Sequence, residues 1–93
     1  MATTQDVRAT AEEAQANARS IAAIPDDQCP WPGVRAALIQ RALAGHDCYA
    51  YRPAHQPEYV IWDRQLEPWM EARFTPRAWA IRNGFAVNGK ECV

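Results

Sequence analysis

Apolar residues recur near the start of the chain at alternating steps of four and three: Val7, Ala11, Ala14, Ala18 and Ile21. That spacing lines one stripe of an α-helix. It predicts a helix from Thr4 to Ile24, stopped by Pro25 and the Asp26-Asp27 pair. The stripe is mostly alanine, which buries little area per turn but lets another backbone come close. A second helix is predicted from Gly33 or Val34 to Ala44. Val34, Ala37, Leu38 and Ala42 share one face and Ile39 and Leu43 the next, an arc wide enough for a central position. Gly45 suits the left-handed residue that closes such a helix. Between the two, Pro30 and Pro32 restrict the backbone on either side of Trp31.

After Gly45 the period changes. Cys48–Arg52 and Glu58–Trp62 are rich in aromatic and β-branched residues and flank the turn-prone Pro53-Ala54-His55-Gln56-Pro57, which predicts a hairpin. Tyr49 and Tyr51 share a face of one strand, and Val60 and Trp62 a face of the other; the register between them is not readable. A short helix is expected over Gln65–Phe74, with Pro68 in its first turn. Another follows, with Thr75 as N-cap, Pro76 at its first position and Gly84 just past its end. Asn88-Gly89 is a hairpin-turn signal near the C-terminus. The expected fold class is α+β: an N-terminal helical hairpin, a small antiparallel β-hairpin or sheet, and short C-terminal helices, in a single domain over residues 1–93.

Composition supports a folded chain. Of 93 residues, 48% are apolar and 23% charged, a globular profile. The formal net charge of −1 argues against a protein that coats nucleic acid or anionic membrane. The charge is uneven, because no acid lies between Glu71 and Glu91 while Arg73, Arg77, Arg82 and Lys90 do. The odd count of three cysteines, widely spaced and without a C-x-x-C pair, implies free thiols in a reducing compartment. Neither a secretory leader nor a membrane-length apolar run is visible, so a cytoplasmic protein is expected.

Candidate chemistry is sparse. The only serine, Ser20, sits in the alanine-rich helix with no histidine near it in sequence. Cys29, Cys48 and Cys92 form no known catalytic signature with His46 or His55. His46-x-Cys48 is the one tight ligand pair, whereas zinc sites show two. Asp26-Asp27 and Glu67/Glu71 have the look of solvated charges, and no glycine-rich phosphate loop exists. No catalytic residue, metal or cofactor is expected. Tryptophan and arginine remain. Four tryptophans are many for so small a core, and both residue types are enriched where proteins grip partners. Trp69, Arg73, Arg77, Trp79 and Arg82, with Trp31 held between its prolines, are the candidate partner-binding residues.

The string Ile24-Pro25-Asp26-Asp27-Gln28-Cys29-Pro30-Trp31-Pro32, followed by an Arg/Ala-rich helix to Asp47, resembles the Cys-Pro-aromatic turn of ribosome modulation factor and of small temperate-phage accessory proteins. Ribosome modulation factor is shorter and strongly basic, and its second helix carries a Trp-Gly pattern missing here, so its ribosome-binding role is not carried over. Size, charge and Ala/Arg usage are similar to the phage group, whose members commonly bind and disable a host protein, anti-CRISPR proteins among them. The resemblance implies a non-enzymatic inhibitor or modulator of a bacterial protein or protein complex. The alternative is a small RNA- or DNA-binding protein using the Arg73–Lys90 segment, with Tyr49, Tyr51 or Tyr59 stacking on bases. A homodimer through the alanine stripe of helix one is a further expectation.

Overall fold

The structure, a computed structural model, describes residues 9–87. Thr4, Val7, the Asn88-Gly89 turn, Lys90 and Cys92 lie outside them. Helix α1 spans Ala11–Ala22, so it starts later than the apolar spacing predicts. Thr10 is the reason: it is extended, its hydroxyl accepts the Glu13 N–H at 3.1 Å, and the Glu13 carboxylate accepts the Thr10 N–H at 2.9 Å. That reciprocal capping box satisfies two N–H groups that a helix end otherwise leaves orphaned. At the other end Arg35 donates to the carbonyls of Ile21 and Ala22 and pairs with Asp26 at 3.1 Å.

Helix α2, Val34–Leu43, runs antiparallel to α1. Arg35 at its start meets the end of α1, and the Ala9 N–H donates to the Gly45 carbonyl at 3.0 Å at the opposite end. Gly45 has φ 96°, the left-handed closing residue expected there. Ala14, Ala18 and Ile21 are buried, and α1 packs on α2 and the sheet. Ala14, Ala18 and Ile21 of the stripe are thus covered by the chain itself, while Ala11, Glu12, Glu13, Gln15, Ala16 and Arg19 are exposed.

Strands β1 (Cys48–Tyr51), β2 (Val60–Asp63) and β3 (Arg73–Phe74) form one antiparallel sheet in the order β1-β2-β3. The β1–β2 connection turns at Pro53–Gln56, where the Gln56 N–H reaches the Pro53 carbonyl at 3.2 Å and His55 adopts φ 66°, the positive value that the third residue of a type II turn requires.

The helix expected over Gln65–Phe74 is not there. Residues 64–70 make isolated turns, and Arg73–Phe74 is a strand. Ala72 and Phe74 are buried while Arg73 is exposed, a period of two, and the Asp63 N–H extends the ladder to the Ala72 carbonyl at 2.9 Å. Sheet pairing overrides the helical propensity of Gln-Leu-Glu and Met-Glu-Ala. Of the two short C-terminal helices expected, only the second forms: α3, Pro76–Arg82. The Thr75 hydroxyl accepts the Ala78 N–H, and Gly84 follows at φ 85°.

Both helices of the hairpin and α3 contribute to one core. Ile21, Val34, Leu38, Ile61, Trp79 and Val87 are its largest fully buried apolar side chains, and the thiols of Cys29 and Cys48 are free and buried. They fill core gaps as small hydrophobes.

Candidate functional site

The predicted binding residues do not form one surface. Trp79 is only 2 % exposed; its indole N–H donates to Asp63 at 2.7 Å, so it is a core residue and not a contact for a partner. Trp69 is the opposite case, 92 % exposed with Met70 beside it, at the tip of the β2–β3 connection. Arg82 pairs with Glu67 and lies 5.3 Å over the Phe74 ring. Arg73 pairs with Glu71 at 2.7 Å. Two cations of the acid-free stretch are therefore paired with acids that lie just before it in sequence. Trp31 and Arg77 do come together, in a cleft beside the start of α3. The Trp31 indole nitrogen is buried with no acceptor among the described residues.

What the structure assembles instead is a sheet face. Register places Tyr49 opposite Trp62, Trp62 opposite Arg73, and Tyr51 opposite Val60. Successive side chains alternate between faces, so Cys48, Ala50, Ile61, Asp63 and Phe74 point into the core while Tyr49, Tyr51, Val60, Trp62 and Arg73 point away from it. None of the latter five is buried. The Tyr49 and Trp62 rings stack at 6.3 Å and 22°, and Tyr51 tilts against Tyr49 at 6.0 Å. The Arg64 guanidinium covers the Trp62 ring at 5.2 Å, and the Trp62 indole N–H donates to Asp47 at 3.0 Å. Partial burial, then the carboxylate of Asp47 and the neighbouring Tyr51, push the Tyr49 phenol above its ordinary pKa. Tyr59 falls on the core-facing parity, and its N–H is taken by Gln28. Searches of family models, curated proteins and solved structures find no significant match to this chain.

These rings are fixed before any partner arrives, by each other, by Arg64 and by Asp47, so little side-chain freedom remains to be lost on contact. The elements behind them are equally fixed. Asp63, wholly buried, accepts from Arg41 Nε at 2.7 Å, from Arg41 Nη2 at 3.2 Å and from Trp79. This locks β2 to α2 and α3. The alternation of Tyr49/Tyr51 and of Val60/Trp62 was visible in the sequence; what joins them into one face is register, which depends on where the turn falls.

Burial, with the Asp63 carboxylate next, pushes the Cys48 thiol up to about 12, and burial also raises Cys29, so both are un-ionised near neutrality. The Ser20 hydroxyl donates to the Asn17 carbonyl and accepts the Ala50 N–H. Among the described residues no three His, Cys, Asp or Glu side chains are placed to hold a metal, and no helix is long and apolar enough to cross a membrane.

Proposed function

We propose that this chain is a non-enzymatic protein-binding module that modulates a bacterial protein or complex, in the manner implied by the phage-type loop at Cys29–Pro32, and that it grips its partner with the open face of its sheet. One observation carries the reading: Tyr49, Tyr51, Trp62, Arg64 and Arg73 stand together on the sheet face turned away from the core. Tyr, Trp and Arg are the side chains that dominate binding energy at protein interfaces, and a rigid aromatic cluster gains contact area at low entropic cost. Exposed Trp69 and Met70 add an apolar tip that such a partner would cover. The proposed partner-binding set is therefore Tyr49, Tyr51, Trp62, Arg64 and Arg73 with Trp69 at its tip, in place of one that includes Trp31, Arg77, Trp79 and Arg82.

The test is capture from bacterial lysate by the full chain, set against a Tyr49→Ala/Trp62→Ala variant whose near-ultraviolet circular dichroism confirms a packed core. A specific protein retained by the parent chain and lost by the variant supports the reading. Equal retention by both refutes it. Single-stranded nucleic acid is the second reading, favoured by aromatic rings on an open sheet. Against it stand Asp47 bonded to the Trp62 indole, Glu71 paired with Arg73, and Arg64 already occupying the Trp62 face.

A further inference from the structure

A cleft of about 270 Å³ opens where β2 begins and β3 ends, between the Asp27–Trp31 loop, Glu58 and the start of α3. It is preformed. Pro30 and Pro32 stiffen the loop, and Gln28 ties it to the sheet, donating to the Pro57 carbonyl at 2.9 Å and accepting the Tyr59 N–H at 2.7 Å. The half-buried Trp31 indole and the buried Pro76 ring supply apolar walls. Asp27 and Glu58, from segments far apart in sequence, bring two exposed carboxylates to the rim. Asp26, Asp47, Asp63, Glu67 and Glu71 all have partners. Asp27 and Glu58 have no hydrogen-bond or ion-pair partner among the described residues, and Arg77, the one cation on the lining, has a partner of its own.

We propose that this cleft receives one arginine side chain of a partner protein. A flat guanidinium can lie against an indole while donating to carboxylates at its edge, and its three-carbon stem suits the apolar walls. Lining carboxylates outnumber the lining cation, so the field inside favours a positive group. The site lies apart from the aromatic sheet face, and it can be tested on the free chain with a small molecule. Its failure and that of the sheet-face reading are therefore separate events.

The experiment is a titration of the full chain with N-acetyl-arginine amide, followed by the Trp31 indole N–H and by the backbone amides of Gln28, Glu58 and Arg77 in nitrogen-15 NMR. N-acetyl-citrulline amide, nearly the same shape without the charge, is the comparison. Saturating shifts at these four groups are expected in the millimolar range, as befits one side chain, with citrulline amide at least about tenfold weaker. Asp27→Asn/Glu58→Gln should abolish the arginine response while leaving the rest of the spectrum in place. Equal response to both amides, shifts that never saturate, or shifts centred on Tyr49 and Trp62 instead would overturn the assignment. The comparison of amides on the parent chain decides the matter even if the double variant fails to fold.

Discussion

At the scale of single residues, Asp63 is the buried charge among the described residues. Its two oxygens accept from Arg41 and Trp79, so removing the carboxylate strands both a guanidinium and an indole N–H. Asp63→Ala is expected to lower unfolding free energy by roughly 3–5 kcal/mol, read as a shift of the urea midpoint. Breaking the surface pair of Arg82 and Glu67 by Arg82→Ala should cost no more than about 1 kcal/mol. Similar losses in the two variants would show that the buried pair has no special weight. Cys48 gives a pH signature. Burial pushes its pKa in the folded state up to about 12, above the 9.0 of a free thiol, so the folded state holds the proton longer than the unfolded one. Stability from this group is complete below pH 9, and between pH 9 and 12 it is lost at up to about 1.4 kcal/mol per pH unit. Cys29 is raised as well and acts in the same direction. Replacing Cys48 by Ala should flatten the decline measured by urea unfolding from pH 8 to 10; an unchanged slope would assign the decline to other groups.

Among the elements, what was legible in the sequence follows from how local each signal is. Helix α2, the two strands of the hairpin, and α3 with Thr75, Pro76 and Gly84 were readable because their caps, turns and periods lie within a few residues of one another. The start of α1 was also written locally, in Thr10-x-x-Glu13, but the apolar spacing running back to Val7 outweighed it. Residues 65–74 were misread because the deciding interactions are with Ile61 and Trp62, across the sheet. The candidate site shares that dependence: Tyr49 meets Trp62, and Trp62 meets Arg73, only once register is set. Ser20 illustrates the same point. Nothing near it in sequence announces that its hydroxyl accepts the Ala50 N–H at 3.0 Å, closing the outer edge of β1 against further strand pairing. Ser20→Ala leaves that N–H without an acceptor and is expected to cost roughly 1–3 kcal/mol. Hydrogen exchange at Ala50 should accelerate more than at Leu38 in the middle of α2. A uniform acceleration would mean that the hydroxyl stabilises the whole fold without guarding the edge.

For the whole molecule the arrangement of charge separates the two readings of the sheet face. The net charge is −1, and Arg35, Arg41, Arg73 and Arg82 each have an acid partner. Those four guanidinium groups are therefore not free to neutralise a phosphate backbone. Binding to nucleic acid draws its affinity from counterion release, and a site making 6–10 phosphate contacts loses about 10³–10⁵ in affinity between 50 and 200 mM salt. A face built on stacked aromatic rings draws instead on apolar contact, which salt at these concentrations scarcely affects, leaving only Arg64 and Arg73 to be screened. The dissociation constant of the captured complex is therefore expected to rise less than about tenfold over that salt range, measured by calorimetry at two ionic strengths. Tyr49→Ala/Trp62→Ala should weaken binding to a similar degree at both. A steep salt dependence, with a variant defect that vanishes at low salt, would instead point to a polyanionic partner held by the arginines, leaving the rings as mere platforms.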